Sequence, residues 1–307
     1  MKQLLAIAGA HKTATAVVVA AVVAAGGAVH AVVDDTTSAT VVEVVDGDTI
    51  DVDYDGATHR VRLLNVDTPE SVDPEEPVEC LGPEASDWLE QRLPVGTEVR
   101  LEWDQDTRDN YGRELAAVFV GSDLVNAEIT RAGLGVPMSV APNTEYLPPV
   151  QAAHAEARNA GRGLYAAEVE CTLPVLVEQA ETVATQTIEQ APAATAGLDQ
   201  FDSYATELAA AAATAGSVLG ILDGDVRAFP LVAYDAGELG RSRARMEAVE
   251  RRLDAAAARN STARTERQRQ IEAEEAARRA AEEAARRAAE EAARRAAEEA
   301  ARRAAEE

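Results

Sequence analysis

Lysine is nearly absent from this chain of 307 residues, which contains Lys2 and Lys12 and no other lysine. Acidic residues number 54 against 29 lysines and arginines, so the formal net charge is −25. Such a charge repels polyanions, which excludes a protein that binds nucleic acid through an overall basic surface. An acid-rich, lysine-poor surface is typical of proteins adapted to high salt, which screens the charge. We interpret the chain as salt-adapted; the alternative is an acidic surface unrelated to salt.

Aromatic residues and cysteine are also scarce. Phe, Trp and Tyr together make up 4% of a chain that is 47% hydrophobic, because alanine and valine supply most of the apolar positions. The core is therefore predicted to consist of small side chains. The two cysteines, Cys80 and Cys171, allow at most one disulfide, which would tie an acidic loop to the end of the predicted domain. An exported chain would form this bridge, whereas a cytosolic chain would keep two free thiols.

Charged residues are missing from Thr13 to Val33. A run of this length is about long enough to cross a bilayer as a helix. It also resembles a signal peptide whose small-residue exit ends at Ala31. We predict residues 1–33 to be a signal peptide or an N-terminal membrane anchor that contacts the membrane or the export machinery. The protein would then be secreted or lie at the cell surface; an intracellular protein with an unusual start is the remaining alternative.

Short alternating apolar runs and turn signals dominate residues 41–172, which follow a polar spacer predicted over residues 34–40. Five strands are predicted from these runs: Val41–Val45, Thr49–Tyr54, His59–Leu64, Val99–Trp103 and Ala116–Val120. Three helices are predicted, with proline near a first turn and glycine after a last turn as signals: Gly82–Arg92, Leu124–Ala132 and Val150–Ala160. Closely linked strands with late helices predict an α+β domain built on a small closed barrel.

The chain changes character after residue 172. Residues 173–240 are rich in Ala, Thr, Glu and Gln and are predicted to form a mostly helical linker region. Residues 241–307 are predicted to form one long charged helix, in which EEAARRAA repeats four times from Glu274. Neither region contains a motif that indicates chemistry, and the sequence identifies no partner for this tail.

The repeat has a period of eight residues, whereas a two-stranded coiled coil needs seven. Each repeat is therefore rotated by about 80° from the previous one, so the alanine stripe spirals around the helix. Each Glu of a repeat has an Arg four residues later, and such pairs stabilise a helix by about 0.3–0.5 kcal/mol each. We predict an isolated, solvated rod; an oligomer packed through alanine is the alternative.

Two acidic turns with an arginine between them occur in residues 41–70. Asp48 precedes the second predicted strand, Asp67 follows the third, and Arg62 lies within the third. The two carboxylates can converge on one end of a barrel, where backbone carbonyls and water would complete a hard-oxygen site for Ca²⁺ or Mg²⁺. Glu70, just beyond, could then take a proton from water.

Arg113 supplies a second guanidinium, held in the tight turn Asp109–Arg113. Two guanidiniums and one divalent cation form a clamp for a phosphodiester, whose charge rises in the transition state. No histidine belongs to this set, so acid–base chemistry falls to a carboxylate and to water. The simpler alternative is that Asp48 and Glu70 merely cap turns.

Five motifs in this region occur in a recognisable order: DGDT at Asp46–Thr49, Arg62, VDTPE at Val66–Glu70, GPEA at Gly82–Ala85, and D-x-Y-G-R at Asp109–Arg113. With this order and spacing, about residues 40–166 resemble the staphylococcal-nuclease-like (thermonuclease) family. The resemblance implies an OB-fold barrel and Ca²⁺-dependent cleavage of DNA and RNA that releases 3′-phosphates. Mg²⁺ is less favoured.

The same resemblance implies a role for each candidate residue. Three residues would bind the metal: Asp48, Asp67 and, through its carbonyl, Thr68. Three side chains would contact phosphates: Arg62, Arg113 and Tyr111. Glu70 would act as general base or orient the attacking water.

The sequence departs from the family pattern beside this site. Asn110 stands where the family has a lysine, and Met138–Ala141 replaces the tyrosines that line the base pocket. Stacking of substrate bases on aromatic rings is therefore not expected, while the residues of the chemical step are complete. The sequence thus predicts an exported, metal-dependent endonuclease. The alternatives are a non-catalytic OB module that binds nucleic acid or protein, and a surface protein in which the rod spaces the domain.

Overall fold

A computed structural model describes residues 36–71 and 78–306. The predicted leader or anchor, residues 1–33, and most of the acidic loop lie outside the described residues. Eight strands are present in the described part: β1 (Thr36–Asp46), β2 (Thr49–Tyr54), β3 (Ala57–Leu63), β4 (Val66–Asp67), β5 (Glu98–Glu102), β6 (Glu114–Val120), β7 (Asp123–Leu124) and β8 (Val136–Pro137). Six α-helices accompany them there: α1 (Gly82–Arg92), α2 (Val125–Arg131), α3 (Leu147–Ala160), α4 (Leu173–Glu189), α5 (Leu198–Leu222) and α6 (Ala236–Glu306).

Five of the strands close into a barrel, which confirms the predicted α+β barrel domain. The strand order is β3-β2-β1-β5-β6-β7, and β3 also pairs in parallel with β6, which closes the sheet on itself. Alternate residues of each strand face inward, so that Ile50, Val61, Leu101 and Val118 are fully buried. The core consists largely of valine, leucine and alanine, as the low aromatic content predicts.

β1 begins earlier than predicted. The sequence predicts a polar spacer over residues 34–40, but Thr36–Thr40 pair with β5 in the register Thr36↔Glu102 to Thr40↔Glu98. Ladder hydrogen bonds come from the backbone and need no apolar side chains. β-Branched threonine also suits a half-exposed strand, and Ala39 within this stretch is buried.

The C-terminal region also differs from the prediction. Helices α4, α5 and the first part of α6 form a three-helix bundle around Leu208, Val218, Met246 and Leu253. Residues 173–240 are therefore a folded layer rather than a linker. The predicted long helix of residues 241–307 packs into this bundle as far as about Asn260, because Met246, Val249 and Leu253 present an apolar stripe at helical spacing. From residue 272 onwards every described side chain of α6 is exposed.

Helix α5 is, within the described part of the chain, the one helix long and apolar enough to cross a membrane by length and hydropathy. One face of it packs Phe201, Leu208 and Val218 inside the bundle. The core helix of a water-soluble bundle passes the same test.

The segment between α5 and α6 packs against the barrel domain. Ala233, in a short 3₁₀ turn before α6, is buried in the barrel-domain core. Its carbonyl accepts hydrogen bonds from Arg158 Nη1 (3.1 Å) and from the Tyr165 hydroxyl (3.0 Å), and the Tyr234 hydroxyl donates to the Leu164 carbonyl. A disulfide joins Cys80 and Cys171, two residues before α4 begins.

Candidate active site

Asp48 lies in the turn between β1 and β2, at one rim of the barrel. Its N–H donates to Asp46 Oδ1 (2.9 Å), and its side chain is turned inward and buried. The preceding Gly47 is required by space, because an added Cβ would stand 2.7 Å from both Ala85 Cβ and Thr68 Oγ1. The sequence DGDT therefore lets three segments meet closely at this point.

Arg62 connects the two acidic turns. Its Nη1 donates to Asp48 Oδ1 at 2.6 Å and its Nη2 to Asp67 Oδ1 at 2.7 Å. Asp48 Oδ1 also accepts from the Thr49 hydroxyl (3.0 Å), while Asp48 Oδ2 accepts from the Thr68 N–H (3.3 Å). The structure thus brings Asp48, Arg62, Asp67 and Thr68 into one contacting group.

Negative charge exceeds positive charge in this group. Two carboxylates share one guanidinium in a place where the Asp48 side chain is only 3% exposed. Burial raises the pKa of Asp48 to about 7, and the neighbouring Arg62 opposes that rise without cancelling it. An additional positive charge beside Asp48 and Asp67 would therefore stabilise the charged form of both carboxylates.

This donor set suits a hard divalent cation. Carboxylate oxygens of Asp48 and Asp67 and the carbonyl of Thr68 are the ligand types that Ca²⁺ and Mg²⁺ prefer. Among the described residues, no cluster of three or more His, Cys, Asp or Glu side chains is arranged to hold a metal. A cation here would consequently complete its coordination with water or with oxygens of a bound phosphate.

Glu70 lies two residues beyond Thr68, where the chain turns towards α1. Its N–H donates to Glu79 Oε2 (2.8 Å), and its own Oε1 accepts from the Ser71 N–H (2.7 Å). An added Cβ on Gly82 would stand 2.3 Å from the Glu70 carbonyl, so GPEA also permits a close approach. These contacts fix the backbone of Glu70 between the rim and the start of α1.

Arg113 is held by Asp109 at the tip of a hairpin that precedes β6. Asp109 Oδ1 accepts from the Arg113 N–H (2.9 Å), and Asp109 Oδ2 accepts from Arg113 Nε (2.7 Å). Arg62, Asp109, Tyr111 and Arg113 all line one cavity of about 170 Å³. The structure therefore places the two candidate guanidiniums around a common space.

The opposite wall of this cavity is aliphatic. Leu64, Leu115, Met138 and Val140 contribute to it, and Tyr111 is the aromatic residue of the lining. Tyr111 itself is 87% exposed, and Arg113 stands over its ring with 5.6 Å from the guanidinium carbon to the ring centroid. Met138 and Val140, within the departure at Met138–Ala141, thus form part of the cavity lining.

Two asparagines outside the predicted set of site residues support this cavity. Asn65, with a positive φ of 59°, donates from Nδ2 to the carbonyls of Met138 (3.2 Å) and Asn143 (2.9 Å). Asn143 in turn exchanges hydrogen bonds with the backbone of Asp106 (2.8 and 2.7 Å). A left-handed asparagine between two strands is a local signal, but its partners are more than 70 residues away and cannot be found from it.

Comparison with known proteins agrees with this geometry. Residues 60–167 match the family described as staphylococcal nuclease homologue. Thermonuclease of Staphylococcus hyicus is 38% identical over 125 residues, which cover 41% of this chain and 73% of that protein. Thermonuclease of Staphylococcus intermedius is 41% identical over 121 residues, covering 39% of this chain and 71% of that protein.

Similar relatives occur outside the staphylococci. Endonuclease YncB of Bacillus subtilis (strain 168) is 39% identical over 112 residues, or 36% of this chain and 53% of that protein. The similarity thus centres on the barrel domain. The chain belongs to the staphylococcal nuclease homologue family.

Proposed function

We propose that this protein is an exported, divalent-metal-dependent endonuclease that hydrolyses phosphodiester bonds of DNA or RNA. The observation that carries the proposal is the Arg62 guanidinium between Asp48 and Asp67, at a cavity that Arg113 also lines. Relatives named thermonuclease and endonuclease support the hydrolase class.

The two guanidiniums supply the phosphate clamp. Arg62 and Arg113 line the same cavity, and guanidinium donors bind the transition state more strongly than the substrate, because the phosphate gains charge there. Asp109 holds Arg113 through its Nε, which leaves the two terminal nitrogens of that guanidinium for phosphate oxygens. The ion pairs of Arg62 also fix its orientation, but they do so through both of its terminal nitrogens.

Two carboxylates would hold the cation, and a third would accept the proton of the attacking water. A Ca²⁺ ion held by Asp48, Asp67 and the Thr68 carbonyl would supply positive charge next to the scissile phosphate. Glu70 orients a water molecule and accepts its proton as the water oxygen bonds to phosphorus. The P–O5′ bond breaks and the leaving O5′ takes a proton from solvent water, so that the products are a 3′-phosphate and a 5′-hydroxyl.

Export and salt adaptation form part of the same proposal. The Cys80–Cys171 disulfide supports an oxidising compartment, and the uncharged run of residues 13–33 supports a leader or an anchor. The net charge of −25 supports work at high salt, which would weaken the repulsion between this surface and a polyanionic substrate.

Plasmid cleavage in molar salt tests the proposal, with Ca²⁺ in one arm and a chelator in the other. Wild type is expected to cleave only with the metal, and Glu70→Gln and Arg113→Ala are each expected to lose about 100-fold or more in rate. Glu90→Gln and Arg60→Ala, at exposed positions outside the site, are the matched controls. Cleavage that survives both site substitutions would remove the mechanism.

The aliphatic cavity wall favours a second candidate, a non-catalytic OB module that binds protein. Leu64, Leu115, Met138 and Val140 offer no aromatic face for a base, whereas single-strand-binding proteins depend on such stacking. The same assay separates the two functions. A module of this kind would leave the plasmid uncleaved both with Ca²⁺ and with chelator, and Glu70→Gln would change neither result.

A further inference from the structure

Glu114 is a buried carboxylate directly after Arg113, and the mechanism above does not use it. It is 5% exposed at the first position of β6. Its Oε2 accepts from the Tyr54 hydroxyl at 2.5 Å, and its Oε1 accepts from His59 Nδ1 at 3.1 Å and from the Arg108 guanidinium. A buried carboxylate is tolerated only when its oxygens are satisfied in this way.

Arg108 and Glu114 form the base of the hairpin that carries Arg113. The two residues pair as an antiparallel bridge, and the Leu115 N–H donates to the Thr107 carbonyl (2.9 Å). Arg108 Nη1 also donates to the Gly112 carbonyl (3.1 Å). The Arg108 side chain therefore contacts the residue before Arg113 and the residue after it.

Tyr54 and His59 join this base to the barrel. Tyr54 ends β2 and His59 lies in β3, and their rings stack with centroids 3.8 Å apart and planes 17° from parallel. β3 also carries Arg62, and its parallel register with β6 pairs Arg62 with Leu115. Glu114 is consequently the side chain through which the Arg113 hairpin is bonded to the strand that presents Arg62.

The hydrogen bonds also define which nitrogen of His59 donates to Glu114. A carboxylate only accepts, so His59 Nδ1 carries the proton that Glu114 Oε1 receives. His59 Nε2 is buried and has no hydrogen-bond partner among the described residues. All three donors around Glu114 are thus directed at one group, and the hairpin beyond them has an exposed tip at Tyr111.

We propose that Glu114 is a positioning residue, which fixes the hairpin of Arg113 so that both guanidiniums meet the same phosphate. The inference rests on the proposed nuclease function and goes beyond it. In Glu114→Gln the side-chain amide would keep the shape of the carboxylate but direct an NH₂ group at one of the three donors. The substitution should therefore loosen the hairpin base without removing any phosphate-contacting group.

Kinetics of a short DNA substrate with Ca²⁺ give the first test. Glu114→Gln is expected to lower kcat by about 10- to 100-fold through misplacement of Arg113, with a smaller change in KM. Tyr54→Phe, which removes one hydrogen bond from the same carboxylate, should show a weaker effect in the same direction. Arg60→Ala, whose exposed ion pair with Asp51 joins the same two strands, should leave kcat unchanged.

A double-mutant cycle distinguishes positioning from general destabilisation. If Glu114 acts through Arg113, Glu114→Gln causes no further loss of kcat in the Arg113→Ala background. An equal loss in both backgrounds, or full activity of Glu114→Gln and Tyr54→Phe, overturns the inference.

Amide hydrogen exchange tests the hairpin without relying on activity. Glu114→Gln should speed exchange of the Arg113 and Leu115 amides, whose acceptors lie within the hairpin, and leave the amides of β2 unchanged. Unaltered exchange at these two amides overturns the positioning role. Equal cleavage by wild type and Arg113→Ala would instead contradict the proposed function, so the two failures are distinguishable.

Discussion

Arginine–carboxylate pairs occur at the barrel rim and along the repeats of α6, in opposite surroundings. Arg62 approaches Asp48 to 2.6 Å, with side chains 14% and 3% exposed. Arg295 approaches Glu291 to 2.5 Å, with side chains 74% and 53% exposed. Because the distances are nearly the same, the two regions differ in solvent rather than in geometry.

Solvent decides what such a pair can do. Water and salt screen an exposed pair, which stabilises its helix by about 0.3–0.5 kcal/mol and has little influence beyond it. Breaking a buried pair leaves an uncompensated charge and costs about 3–5 kcal/mol. The repeats therefore sustain a rod through many small additive contributions, whereas the rim concentrates charge in a place where it can act on a bound phosphate.

The largest effect on stability is expected from removal of the disulfide, a covalent constraint that the α6 repeats lack. Cys80→Ser combined with Cys171→Ser opens a link across 91 residues, which should lower the free energy of unfolding by about 4 kcal/mol in the chain-entropy model. Urea unfolding of the two forms measures it. An unchanged urea midpoint would show that the disulfide does not stabilise the barrel domain.

Arg62→Ala should give the next largest effect. Loss of the guanidinium leaves Asp48 buried without its partner, so we expect about 3 kcal/mol less stability and a cleavage rate at least about 100-fold lower. Arg60→Ala removes the exposed pair with Asp51 and should cost less than about 1 kcal/mol. Equal losses for the two variants would remove the distinction between buried and exposed pairs.

Tyr234→Phe tests the contact between the barrel domain and the segment just before α6. It deletes the hydroxyl that donates to the Leu164 carbonyl, and should lower the free energy of unfolding by about 1 kcal/mol. Removal of residues 274–307, which comprise the four repeats and the two residues after them, should leave the same transition of the barrel unchanged. Thermal unfolding of the three proteins provides the comparison, and a repeat deletion that destabilises the barrel would contradict the additive view of the rod.

Arg295→Ala should have the smallest effect. One i,i+4 pair is lost, so the stability of the helix should change by less than about 0.5 kcal/mol at low salt. The change should vanish in molar salt, where the screening distance is about 3 Å. Circular dichroism during heating at both salt concentrations measures it, and a larger loss would indicate that the repeats pack against another copy.

The features predictable from the sequence depend on neighbouring residues. β2 and α1 have the predicted bounds, because alternation fixes a strand and a proline in the first turn fixes the start of a helix. The rim was also predictable, since Asp48, Arg62 and Asp67 lie within 20 residues and a hairpin returns the chain to the same place. Their roles in catalysis remain predictions.

The features that escaped prediction depend on distant residues. Thr36–Thr40 belongs to a strand only because β5, far along the chain, pairs with it. Glu114 lies outside the predicted strand Ala116–Val120, and no residue near it in the sequence indicates its partners Tyr54 and His59, which are 60 and 55 positions away. The contact of Ala233 with Arg158 likewise spans 75 residues. The composition of residues 173–240 does not indicate such distant contacts, so it predicts a linker where the fold has a packed layer.

The most direct test of the account is the cleavage rate of plasmid DNA as a function of free Ca²⁺, compared among wild type, Asp48→Asn and the exposed control Glu90→Gln. The account predicts no cleavage in chelator, saturating activation of wild type and Glu90→Gln, and a half-activating concentration at least about ten-fold higher for Asp48→Asn. Equal cleavage with and without metal, or activation of Asp48→Asn at the wild-type concentration, would contradict it.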